Sequence, residues 1–286
     1  MPATNRRKSR TSRTRSRIPW SVWLAGLACG VSLFAVVRWI HPPAAIDINF
    51  RQMRVMSLAM APLLDMLGSV EGDYHSVNRG RAGDSPGDWA KTHLGRSITA
   101  MTLDELRSHQ GGQERSCWHR GTPGAANLFA VGRYQIIPCT LSQAQRQVDG
   151  LSLDLYYNQE TQDALAVYLV IVKRRRLGAW LLGQSDDYTG GAQELAKEFA
   201  SVPTQVRHGR CRRGQSYYCG DSAGNAALLT LEQVEQALRS TRSTLATDPD
   251  AQQVIVEAEG ARGHLRRQAT TTLRRLRAQR SSDPTR

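Results

Sequence analysis

Three carboxylates fall within one short stretch of the chain: Glu71, Asp73 and Asp84. Glu71 comes at the end of the run Arg51–Leu67, where Met53, Met56, Ala59, Met60, Leu63, Leu64 and Leu67 share a wide apolar helical face, with Gly68 near its end. A carboxyl held at the end of a buried helix is partly desolvated, which disfavours the anion and keeps the acid protonated near neutral pH. A general acid acting on a glycosidic oxygen needs that property. Spacing alone does not single Glu71 out, because an acid after a helix is commonplace. A two-carboxylate glycosidase also needs a partner. Asp73 and Asp84 are the candidates, and neither has a distinguishing context.

Other elements must position such an acid. The segment Gly68–Gly95 holds too many turn formers for a long helix and reads as a loop or a small twisted hairpin region. Thr102 with Glu105 forms a capping box, and Thr140 with Gln143 is a second candidate. The apolar stretch Gln159–Arg176 is expected to be one central helix. A shorter helix is expected over residues 190–200. Another opens at Thr230-Leu-Glu-Gln233, with Leu231, Val234 and Leu238 on one face. No internal repeat is found. The fold class expected is mainly α with a small β region, preceded by one N-terminal transmembrane helix.

The formal net charge of +13 is concentrated at the two ends. The first seventeen residues carry seven basic side chains and no acid, and Arg262–Arg280 carries seven arginines and no acid. Between Ile18 and Val37 twenty positions pass without a charge, flanked by Trp20, Trp23, Arg38 and Trp39. About 20 helical residues cross a ~30 Å hydrocarbon core, and Trp and Arg suit its interfaces. The basic head then stays in the cytoplasm by the positive-inside rule, and everything after Ile40 is exported. This placement makes nucleic acid an unlikely partner for the basic head.

Of five cysteines, Cys29 lies in the span and is expected to be free. Cys117, Cys139, Cys211 and Cys219 lie in the exported part, an even number in an oxidising space. Cys211 and Cys219 enclose a short loop and close most easily, which leaves Cys117 with Cys139. The spacing is not that of a zinc site, and neither a metal nor a cofactor is expected.

The string Leu64-Asp-Met-Leu-Gly-Ser-Val-Glu71-Gly-Asp-Tyr74, followed by Asn78-Arg79-Gly80, resembles the catalytic segment of phage-type lysozymes. Gly132-Arg133-Tyr134-Gln135 is similar to their GRYQ segment, including that of the lambda-type lytic transglycosylases. Phe199-Ala-Ser-Val-Pro203 and Ser216-Tyr-Tyr-Cys-Gly-Asp221 follow in the same order, so the resemblance spans roughly residues 54–242. It implies a lysozyme-like α+β domain that cleaves the MurNAc–GlcNAc β-1,4 bond of peptidoglycan. Cleavage would be by hydrolysis or by transglycosylation to a 1,6-anhydro sugar, with Glu71 as catalytic acid. Tyr134 and Gln135 would line the cleft, Tyr74 and Asn78 would contact sugar, and Tyr217 and Tyr218 could form a platform. Cys139 and Cys219 depart from the pattern.

The expected organisation is a basic cytoplasmic head (1–17), a transmembrane signal anchor (18–40), a linker (41–50), a catalytic domain (51–242) and a basic, helical tail (243–286). The chain would sit in a bacterial inner membrane and face the periplasm. Its partners would be glycan strands and, through the tail, an envelope machine or another acidic partner. Two other readings remain: a non-catalytic peptidoglycan-binding scaffold, and a signal-arrest-release endolysin that later leaves the membrane.

Overall fold

The computed structural model describes residues 46–80, 83–85, 87–111, 128–221 and 224–263. The basic head, the expected span, Cys29, Cys117 and the arginine-rich tail from residue 264 onward lie outside the described residues. Among the described residues no single helix is long and apolar enough to cross a membrane. The described chain is mainly α-helical with one small three-stranded sheet.

The expected helix over Arg51–Leu67 is two helices. α1 spans Phe50–Ala59 and α2 spans Ala61–Glu71, and the pair bends by 89°. Asn49 and Gln52 form a reciprocal capping box that starts α1. The break at Met60 has a chemical cause: Pro62 has no N–H to give Leu58 and is tolerated only in a first helical turn. The bend also lets both apolar faces reach the core, Phe50, Met53 and Met56 on α1 and Leu63, Leu64 and Leu67 on α2. Met60 offers no side-chain cap to α2, so a distant residue supplies one: the buried Thr241 hydroxyl accepts from Leu63 N–H at 3.0 Å.

The segment after Glu71 is a small hairpin region. β1 (Val77–Asn78) lies between β2 (Asp84–Ser85) and β3 (Ala130–Val131), antiparallel to both. Two short helices follow β2: α3 (Trp89–Leu94), and α4 (Leu103–His109), which opens on the expected Thr102–Glu105 capping box. After β3, α5 spans Pro138–Gln147. The expected cap at Thr140 is not formed, because Pro138 opens the helix and places buried Thr140 inside it.

The expected central helix is interrupted. α6 (Gln159–Val167) continues as a π-helical stretch over Tyr168–Lys173, breaks at Arg174, and restarts as α7 (Arg175–Leu181). α7 folds back tightly, and a Cβ at Gly178 would lie 2.5 Å from the Ile171 carbonyl. α8 spans Tyr188–Glu198, and α9 spans Leu231–Thr247 and packs on α2 and α7. Residues 249–263 are helical too, and Ala251, Val254, Ile255 and Ala258 join the main core. The domain boundary expected at 242 therefore falls inside α9, and the packed domain extends well beyond it.

Cys211 and Cys219 form a disulfide, as their spacing suggested. Cys139 is disulfide-bonded as well.

Candidate active site

Glu71 is the last residue of α2. It is partly buried, and Ser201 Oγ donates a hydrogen bond to its Oε1 across 130 positions of sequence. Burial raises the Glu71 carboxyl above its ordinary value of 4.5; bonding by Ser201 partly offsets this, and the negative charge of Asp84 adds to the rise.

Ser201 is held from several sides. Its carbonyl accepts from Leu228 N–H at 2.8 Å. Just before it, Glu198 receives Lys173 Nζ and Arg174 Nε, both at 2.6 Å. Arg174 also donates to the Lys197 carbonyl at 2.9 Å, and the Tyr218 hydroxyl donates to the same oxygen at 2.5 Å. These bonds fix the end of α8 and with it the turn that carries Ser201.

On the other side, Gly72 leads from Glu71 into a tight turn. Asp73 accepts from His75 N–H at 2.8 Å and Ser76 Oγ at 2.9 Å. Burial is the largest single influence on Asp73 and opposes its charge, but the bonds from Ser76 and His75 together outweigh it and hold the carboxyl below the ordinary value. Asp73 is thus a turn-forming anion. Asp84, exposed on β2, accepts from Asn78 Nδ2 at 2.7 Å. The Asn78 oxygen accepts from Gly80 N–H at 2.8 Å. Both ends of the Asn78 amide therefore fasten the hairpin.

The Tyr74 hydroxyl lies 3.1 Å from both Asp163 oxygens and accepts from Arg133 at 2.7 Å. Arg133 also reaches Asp65 at 2.8 Å and lies along α2 where Gly68 makes room: a Cβ there would be 2.0 Å from Arg133 Nε. Tyr134 does not line a cleft. It is 2% exposed, and its hydroxyl donates to Asp163 at 2.6 Å, because the 132–135 turn points its ring into the core. Gln135 is half-buried, with φ of 47°, the one positive-φ non-glycine among the described residues. Such strained positions cluster at functional sites. Tyr217 and Tyr218 meet edge to face at 5.3 Å, and His208 stacks on Tyr217 at 4.0 Å. A ring available to a sugar is therefore partly covered.

Four residues that carry this arrangement were not assigned roles from sequence: Ser201, Arg133, Asp163 and Gln162. Gln162 is fully buried and satisfies three backbone groups. It accepts from Arg133 N–H at 2.9 Å and donates to the carbonyls of Tyr74 and Tyr157 at 3.0 and 3.1 Å. Gly132 is required beneath it: its φ is +72°, and a Cβ there would lie 2.2 Å from Gln162 Oε1. Ser201 and Arg133 stand in strings already singled out. A fully polar amide on the inner face of an apolar helix was the available sign for Gln162.

The chain matches no protein-family model, no curated protein and no solved structure.

Proposed function

We propose that the chain is a peptidoglycan-cleaving enzyme of lysozyme-like fold, in which Glu71 protonates the leaving oxygen of the MurNAc–GlcNAc β-1,4 bond. The observation that carries this reading is the Glu71 carboxyl itself: partly buried, raised in pKa, and anchored by Ser201. An acid in that setting stays protonated where exposed carboxylates are anions, and so has a proton to donate. The substrate class rests on the resemblance of the ordered strings around Glu71, Arg133 and Ser201. Gln135, half-exposed in the turn that abuts the Glu71 loop and with its amide donating to the Gly132 carbonyl at 3.1 Å, is the side chain we assign to sugar contact. Tyr74 and Asn78 serve mainly to hold the loop and hairpin beside the acid.

Digestion of sacculi by the full-length chain, followed by mass spectrometry of the released muropeptides, tests the activity and the bond together. Reducing MurNAc ends mark hydrolysis, and 1,6-anhydro ends mark transglycosylation. Release of neither species leaves the enzyme reading without support.

The apolar stretch at 18–40 and the basic head before it support a single-pass inner-membrane anchor with the catalytic domain in the periplasm. A reporter that matures only in the periplasm, fused after Arg286, is expected to be active. Activity of a cytoplasm-only reporter at that position would reverse the topology and remove the substrate from reach.

A further inference from the structure

We propose that the loop from Val206 to Gln215 is a docking surface for the carboxylate-bearing peptide stems that branch from glycan strands. This rests on the peptidoglycan reading above and extends it from the scissile bond to the peptide beside it.

The loop carries Arg207, Arg210, Arg212 and Arg213 together with His208, and no acid intervenes between Glu198 and Asp221. All four arginines are exposed. Among the described residues none of them is in a salt bridge, whereas Arg54, Arg96, Arg133, Arg174 and Arg176 all are. Arg207 and Arg210 donate only to backbone carbonyls, those of Gly209 at 3.3 Å and Gly220 at 3.0 Å. Arg213 has an acid within electrostatic range, Glu232 at the start of α9.

The like charges are held in place. The Cys211–Cys219 disulfide, with a Cα–Cα separation of 5.6 Å, ties the second half of the loop to the segment that follows it. His208 and Cys211 exchange two backbone hydrogen bonds of 2.9 Å. At the base, Thr204 N–H donates to Gln215 O at 2.7 Å, and Gly214 N–H donates to Thr204 O at 3.0 Å. Stacking on Tyr217 fixes the His208 ring. Four like-charged guanidinium groups, Arg212 and Arg213 inside the disulfide-closed segment and Arg207 and Arg210 just before it, repel one another, and among the described residues no salt bridge offsets their gathering. Their fixed forks match carboxylates bidentately.

Position selects the partner. The loop springs from the segment that carries Ser201, and Ser201 touches Glu71. Ser201 and Arg207 are six positions apart, a reach of at most ~20 Å, so a strand presented to Glu71 carries its side branches within the span of this loop. Those branches are peptides with several free carboxylates. A membrane surface fits less well, because Val206, 45% exposed, is the loop's one exposed large apolar side chain.

The test uses the full-length chain in detergent and two fluorescent ligands: soluble glycan strands with their peptides, and the same strands stripped of peptides by an amidase. Wild type is expected to bind the peptide-bearing strands at least about tenfold more tightly at low salt, with the difference collapsing at high salt. The variant R207Q/R210Q/R212Q/R213Q is expected to bind both ligands alike, with unchanged melting and unchanged cleavage of stripped strands. If the quadruple change disturbs folding, single Arg→Gln variants are expected to erode the preference stepwise. Equal binding of both ligands by wild type, or a preference that survives the quadruple change, overturns the proposal while leaving the glycan reading standing. Binding to neither ligand removes both. Variant-sensitive binding to phosphatidylglycerol vesicles without strand discrimination reassigns the loop to the membrane and overturns the proposal.

Discussion

Glu71→Gln is expected to lower wall cleavage at least ~100-fold, since a positioned general acid typically contributes 10²–10⁴. The amide keeps the size of the protonated acid and can still accept the Ser201 hydroxyl, so folding should be intact. What it lacks is the proton for the leaving oxygen. Two pH signatures accompany the loss. Cleavage by wild type should fall as pH rises through the raised pKa of Glu71, because the proton donor is being lost. Ser201→Ala should move that limb to higher pH, since the bond it removes is one that lowers the Glu71 pKa. Stability follows the same equilibrium. The folded state holds this proton more tightly than the unfolded chain does, whose carboxyl titrates near the ordinary 4.5. The contribution is fully present below that value and is lost as pH rises through the folded pKa. Thermal melting of wild type should therefore lose ground to Glu71→Gln as pH is raised across that window. Asp73→Asn and Asp84→Asn are the controls, and a single-carboxylate mechanism leaves both with substantial activity. Abolition by either one, in a folded protein, makes a two-carboxylate hydrolase the better account. A Glu71→Gln variant that cuts at the wild-type rate removes the site assignment altogether.

The local sequence placed Glu71 where an apolar helical face ends and a polar, Gly-rich stretch begins, although only the resemblance of the surrounding strings singled it out. It concealed the group that holds Glu71. Ser201 reaches it from 130 positions away, in a run of small residues with no period of its own. The break at Met60 was hidden for a different reason. Both halves present apolar residues at helical spacing, so the pattern reads straight through, and only the missing N–H of Pro62 marks the corner. The sheet strands are two residues long, too short for alternation to register. At Thr140 two valid start signals competed, and proline at the first helical position prevailed over a hydroxyl two residues later. Tyr134 and Gln135 are neighbours in one string, yet the turn sends one ring into the core and leaves the other side chain half-exposed. Adjacent residues in a turn need not share a fate.

Gln162 supplies the largest expected effect on stability. Gln162→Met keeps the length and nearly the volume of the side chain, so it leaves little cavity. It removes all three hydrogen bonds, to Arg133 N–H and to the carbonyls of Tyr74 and Tyr157. Burial leaves those three groups with no water to turn to. An unsatisfied buried polar group costs ~1–3 kcal/mol. The backbone can relax around some of them, so a total of about 3–5 kcal/mol is expected rather than the full sum. In a domain of this size that corresponds to a drop of roughly 8–15 °C in melting temperature. The same change should reach the chemistry, because Gln162 bonds to three pieces at once: the loop that follows Glu71, the 132–135 turn and the start of α6. Well below its melting temperature the variant should cleave several-fold more slowly than wild type, with Glu71 itself untouched. Gln162→Glu separates the two effects. It can keep the bond to Arg133 N–H but loses both donors, and it buries a second carboxylate next in sequence to Asp163, so it should be the less stable of the two. If Gln162→Met melts within about 1 kcal/mol of wild type, the amide is not what joins these pieces, and the loop beside Glu71 is held by the Tyr74–Arg133–Asp163 cluster instead.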